Sequence, residues 1–173
     1  MIYIGIDNGI GTIGIIKFEH DDEQQVTEYE ASIFETPIKK ELNYTKSKQY
    51  ISRLDTFHFA KLMPTENKMK VIIALERPMV NPGRFKATSV GLRIFEAMLI
   101  TLEWMDLPYQ YIDSKEWQRH LLPKGLKGSS ELKKASKQVG KRLFPQLKDK
   151  IKADADGLLI AEYLRRKYNN ELR

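Results

Sequence analysis

Four carboxylates at three places in the chain have the type and the setting that hold a hard metal ion. They are Asp7 in Ile-Gly-Ile-Asp-Asn-Gly, Glu76 in Val-Ile-Ile-Ala-Leu-Glu-Arg-Pro, and Asp154 with Asp156 in Lys-Ala-Asp-Ala-Asp-Gly-Leu-Leu-Ile-Ala. Asp7 and Glu76 end apolar runs rich in β-formers, and the last pair opens an apolar helical run, so each acid stands where a buried element meets solvent. Carboxylates brought together repel one another and raise one another's pKa unless a cation compensates, and Mg2+ or Mn2+ prefers such oxygen ligands. Four acids are enough to hold two ions, the arrangement that activates a water and holds the leaving oxygen in phosphodiester hydrolysis.

Each acid also has an ordinary use. Asp7 could cap a turn, and a strand followed by Asp-x-Gly also opens the actin-like ATP-binding proteins. That class needs a second Gly-rich phosphate loop and generally a second domain; Asp156-Gly157 lacks the spacing and the chain is too short. Glu76 could be neutralised by its neighbour Arg77. One of Asp154 and Asp156 could serve as a helix N-cap. Two together are more than capping requires.

The elements that must position these acids follow from the pattern of apolar residues. Residues 2–7 form a buried strand, and Asn8-Gly9 turns the chain into a second strand over 11–17. A third strand is expected near Val26–Phe34, then an irregular polar stretch over Thr36–Asn43. Helical spacing of Ile51, Leu54, Phe57, Ala60 and Leu62 predicts a helix over Tyr50–Met63. Lys70–Glu76 is a central strand, and Pro78, Asn81, Pro82 and Gly83 impose a loop. A buried helix over Thr88–Trp104, a strand over Leu107–Ile112, and a short helix capped by Ser114 come next. A basic helix over Ser130–Phe144 and a last helix over Asp154–Tyr168 complete a mixed α/β sheet protein. Trp104 and Trp117 are expected in the core, and His58 and His120 lack metal-ligand spacing.

The 173 residues suit one domain. The formal charge of +6 is unevenly spread: Ser114–Lys152 holds twelve Lys and Arg against three acids, a local excess of nine. Such an excess beside candidate metal carboxylates suits a polyanion. Lys133, Lys134, Lys137 and Lys141 recur at helical intervals and form a candidate phosphate-tracking face, with Lys115, Arg119, Lys124 and Lys127 nearby. There is no cysteine, which excludes disulfides and thiolate metal sites. No apolar run approaches the ~20 residues needed to span a bilayer, so no membrane partner is expected.

In order and spacing these motifs resemble the RuvC-type Holliday junction resolvases of the RNase H-like superfamily, in the compact form encoded by bacteriophages, including those of lactococcal hosts. Gly5-Ile6-Asp7-Asn8-Gly9 matches the family's opening strand, Ala74-Leu75-Glu76 its central strand, and Ala155-Asp156-Gly157-Leu158-Leu159-Ile160-Ala161 its last helix. Lys115-Glu116-Trp117 and Leu143-Phe144-Pro145 also fall in place. The resemblance covers nearly the whole chain. It implies an RNase H-like α/β fold with a mixed five-stranded sheet flanked by helices, as a single nuclease domain over 1–173. It further implies a homodimer that nicks branched DNA, four-way junctions and forks, leaving 5′-phosphate ends in phage recombination, replication or packaging within the bacterial cytoplasm. Two Mg2+ or Mn2+ ions per site would be held by Asp7, Glu76, Asp154 and Asp156. Where the cellular family carries its fourth acid this chain has Ala153, so Asp154 takes that role, with Asp149 the other candidate. In the loop after Glu76, Met79 takes the position of the aromatic wedge, with Phe85 as substitute and Arg77 and Arg84 beside it. A catalytically inactive junction-binding module is the remaining alternative, and the intact acidic set argues against it.

Overall fold

The computed structural model describes residues 1–21, 26–44, 46, 49–66 and 68–172, with side chains 20–28 excepted. Five strands form one sheet in the order β3-β2-β1-β6-β7. β1 (Ile2–Ile6), β2 (Thr12–Asp21) and β3 (Val26–Glu35) make an antiparallel meander, and β6 (Val71–Glu76) and β7 (Tyr109–Ile112) add in parallel on the other side of β1. A mixed sheet with two parallel crossovers must be covered on both faces, and it is. On one face lie α3 (Ser114–Leu121), α4 (Gly128–Leu143) and α5 (Asp156–Tyr168), packed with Tyr3 and Ile16; on the other lie α1 (Thr56–Leu62) and α2 (Phe85–Trp104), packed with Ile4, Ile6, Ile13 and Ile73. The alternation along β1 divides these two cores. The mixed α/β sheet flanked by helices agrees with the sequence reading.

Residues 36–54 depart from it. The stretch expected to be irregular contains β4 (Ile38–Leu42), and the expected helix over Tyr50–Met63 begins instead as β5 (Tyr50–Leu54), pairing antiparallel with β4. The helix starts only after Asp55, whose carboxylate accepts from His58 N at 3.1 Å. The three-residue spacing of Ile51 and Leu54 suits a helix, and pairing with β4, including the cross-strand ion pair of Arg53 with Glu41 (2.6 Å), overrides it. α2 begins at Phe85, earlier than expected, because the Asn81 side chain accepts from Gly83 N (2.9 Å) and turns the chain at once. Asp113, not Ser114, stands at the N-cap position of α3, and its carboxylate is committed to Arg77 rather than to the helix. Trp117 is fully buried, but Trp104 is 83% exposed at the end of α2, because that helix buries only the stripe of Ile94, Met98, Thr101 and Leu102. Among the described residues no helix is long and apolar enough to cross a membrane.

The contact that fixes the site is the seating of α5 on β1 and β2. A Cβ on Gly5 would overlap the Gly157 carbonyl and Ala161 N; one on Gly14 would overlap the Leu158 backbone; one on Gly157 would overlap the Thr12 carbonyl. Backbone therefore meets backbone, and Gly157 through Leu164 are all buried. Gly157→Ala should cost about 3 kcal/mol, since neither wall is a flexible side chain. Gly91→Ala, in the interior of α2 with nothing nearer than Asn8 Oδ1 at 3.8 Å, should add about 0.5–1 kcal/mol. Urea unfolding of both variants checks the pair, and equal effects would refute this account of the contact.

Candidate active site

β1 and β6 are neighbours in parallel register, with Ile6 opposite Leu75. The next residues, Asp7 and Glu76, therefore leave the sheet side by side at its carboxyl edge, where open α/β sheets place their ligands. Asp7 N donates to the Thr12 carbonyl (2.9 Å) and closes the turn into β2. Inside that turn a side chain on Gly11 would strike the Asp7 carboxylate. Glycine keeps the space in front of Asp7 open.

The third segment arrives through α5. Asp156 is its first residue, and Asp154 lies just outside the helix. Thr12 ties this entrance to the hairpin: its hydroxyl accepts from Gly157 N (3.0 Å) and donates to Asp154 Oδ1 (3.3 Å). Ser136 of α4 accepts from Ala155 N (3.1 Å) and hydrogen-bonds the Asp156 carboxylate. As a result Asp7, Asp154 and Asp156 each offer an oxygen within 4.8 Å of the others. Asp154 and Asp7 are buried, at 3% and 8% exposure. Glu76 hydrogen-bonds Asp7 on one side and accepts from Trp117 Nε1 on the other, at 2.9 Å. Asp149, the other candidate for the fourth acid, is exposed in the turn before Ile151.

The electrostatics follow from the crowding. Burial, then the charge of Glu76 and its hydrogen bond, then Asp154 push the Asp7 carboxyl far above the usual carboxylate range. Burial and the charge of Asp7 lift Asp156 to about 7, against the pull of Ser136. Glu76 is raised mainly by burial, although the hydrogen bonds from Trp117 and Asp7 hold it down in part. Lys133 Nζ reaches Asp154 Oδ2 at 3.1 Å. It is the one cation bonded to the cluster among the described residues.

The remaining candidate residues scatter over several surfaces. Arg77 does not neutralise Glu76; it pairs with Asp113 (3.1 Å) and lies over the Tyr111 ring. Met79 and Phe85 are strongly exposed around the turn into α2, where Arg84 is exposed too. Lys115, Arg119 and Lys124 line one groove of about 760 Å3 beside α3, and Lys127 is exposed at the start of α4. On α4, Lys134 is exposed, Lys137 and Lys141 are half-buried, and Lys133 is exposed with its Nζ on Asp154. Sequence reasoning did not assign Thr12, Trp117 or Ser136 to the site. Thr12 is 142 residues from its partner Asp154, and no local signal links them.

No family model matches the chain, and no curated protein matches it by sequence. Among solved structures it is similar to Thermus thermophilus RuvC in complex with a Holliday junction substrate, at 12% identity and TM-score 0.47, covering 100% of this chain and 99% of that one. It is also similar to the fowlpox virus Holliday junction resolvase, at 14% identity and TM-score 0.48, covering 98% of each chain.

Proposed function

We propose that the chain is a metal-dependent nuclease that nicks branched DNA, four-way junctions foremost, by hydrolysing a phosphodiester bond, and that residues 1–173 act as one nuclease domain. The observation that carries this reading is the convergence of Asp7, Asp154 and Asp156 to within 4.8 Å from segments almost 150 residues apart, with Glu76 bonded to Asp7. The donor set fits Mg2+ or Mn2+: every donor is a carboxylate oxygen, the cluster is largely desolvated, and the single bonded lysine cannot neutralise four acids. Bound there, divalent ions would supply an activated water and charge stabilisation at the leaving oxygen. Asp7 and Asp156 would ligate either ion or both, Asp154 would complete the set, and Glu76 would ligate one ion and orient the water. Trp117 donates to Glu76, which is also hydrogen-bonded to Asp7, and so restrains its carboxylate; a hydrogen bond to a carboxylate stabilises by about 1.5–3 kcal/mol. Branched DNA as substrate is supported by the ordered motif set and by the basic excess of the second half, and a phage origin and a bacterial cytoplasmic setting belong to the same reading. A homodimer is supported by the outer face of α2, where Leu92, Ile100 and Trp104 are exposed.

Asp7→Asn should abolish cleavage in Mg2+ while junction binding and folding persist; cleavage near the parent rate would remove Asp7 from the metal site. Asp154→Asn should lower cleavage by orders of magnitude and Asp149→Asn should change it little, as read from nicking of a labelled four-way junction; the reverse result would transfer the role to Asp149. Sedimentation of Trp104→Glu should show dimer shifted toward monomer, and an unshifted distribution would exclude this face of α2.

Stability against pH gives a test without DNA. Asp7, Glu76 and Asp156 have folded-state pKa values above their ordinary ones, so the fold binds protons that the unfolded chain has already lost. That contribution is fully present below the ordinary value of 3.8 and is lost as pH rises toward about 7 for Asp156. In EDTA the wild type should lose thermal stability between pH 4 and 7 more steeply than Asp156→Asn does. Mg2+ at pH 8 should restore the wild type and leave Asp7→Asn almost unmoved, as followed by circular dichroism. A wild type indifferent to Mg2+ would count against a metal site.

A further inference from the structure

A groove of about 510 Å3 opens directly from the acid cluster, sharing Asp154 with it. One wall is the passage from β3 into β4, including Glu35 and Ile38; the other is formed by residues 150–154, and Lys133 stands over the inner end. Its apolar lining comes mainly from residues 33–38, and its cations are Lys133, Lys150 and Lys152, against the carboxylates Glu35 and Asp154. Lys150 and Lys152 belong to the basic excess, yet neither lies on α4 nor in the groove beside α3.

We propose that this groove binds the sugar–phosphate backbone of the DNA strand continuing from the scissile phosphate, with Lys150 and Lys152 holding the phosphate next to the cut. The proposal rests on the acid cluster being a nuclease site, and it adds where the strand goes. Lys133 is bonded to Asp154 (3.1 Å), so the cations begin at the acids and continue outward along the groove. Among the described residues Lys152 pairs only with Glu35, at 3.6 Å, and both side chains are about three-quarters exposed. An exposed pair of this kind contributes little. A phosphate, which forms charge-assisted bonds with two lysines at once, displaces Glu35. Lysines are point charges that carry no base information, and the apolar lining offers few groups for reading base edges, so the grip is on backbone and independent of sequence. The β4–β5 hairpin acquires a role here, because the strand leading into it supplies the wall opposite the lysines.

The test is binding of a four-way junction in EDTA across a salt series, for the wild type, K150Q/K152Q, and the charge-matched control K17Q/K70Q on exposed positions elsewhere. Loss of the one phosphate contact that the two lysines share should reduce the salt slope by roughly 0.7–0.9, and the control should keep the wild-type slope. In a second arm, each phosphate adjacent to the cut is replaced in turn by an uncharged methylphosphonate. At one of these positions the wild type should bind about tenfold more weakly, and K150Q/K152Q should be insensitive to the same replacement. A wild type that cuts no branched DNA in Mg2+ overturns the nuclease reading and the strand path with it. A wild type that cuts, beside a K150Q/K152Q that keeps the wild-type slope or remains sensitive to every methylphosphonate, overturns the groove alone.

Discussion

The architecture depends on the close approach of α5 to the β1–β2 hairpin. Side chains normally hold a helix about 10 Å from a sheet, and here Gly5, Gly14 and Gly157 remove them, so that the Gly157 carbonyl faces Gly5 and the Thr12 carbonyl faces Gly157. That contact sets the height of the first turn of α5 over the sheet, and with it the distance from Asp156 to Asp7. Thr12 then uses both capacities of its hydroxyl to fix the approach, accepting from the helix and donating to Asp154. Bulk at any of the three glycines would push α5 off the hairpin and part the carboxylates with it.

What is brought together is electrostatically unfavourable in the absence of cations. Four acids share a desolvated corner, and the fold raises the proton affinity of three of them rather than separating them. Partial compensation comes from three donors on two helices: Trp117 on α3 to Glu76, and Ser136 and Lys133 on α4 to Asp156 and Asp154. Each acid is thereby oriented without being satisfied, which is what a ligand set needs if incoming metal is to gain more from the carboxylates than the apo fold does. Strain of this kind persists only where surrounding packing over-determines it; the buried body of α5 and the fully buried Trp117 supply that packing.

The surface divides along the same lines. Cations gather around α3, along α4 and at residues 148–152, on the side of the sheet that carries the acid-bearing helix. The opposite face is covered by α2, whose outer side is apolar at Leu92, Ile100 and Trp104. The excess of positive charge and the exposed apolar residues of α2 thus lie on opposite faces of the sheet.

Much of this was legible in the residues themselves. Apolar runs ending in an acid placed Asp7 and Glu76 at strand ends, since a charge closes a buried strand only where the strand leaves the core, and the mixed sheet followed from the order of strand and helix patterns. The neighbourhood of Asp154 was legible too, because an i, i+2 pair before a helix can converge only where the backbone is not yet helical. Pairing and direction were left to the tertiary structure. Residues 50–54 are a strand because β4 lies opposite them; Trp104 is exposed because α2 buries a single stripe; Lys133 is paired with an acid 21 residues away to which no local pattern points. Local pattern is written in nearest-neighbour sterics and periodicity, which one segment carries alone. The partners of Thr12, Trp117 and Ser136 depend on how far a helix sinks onto a sheet, and that distance exists only after the chain has folded.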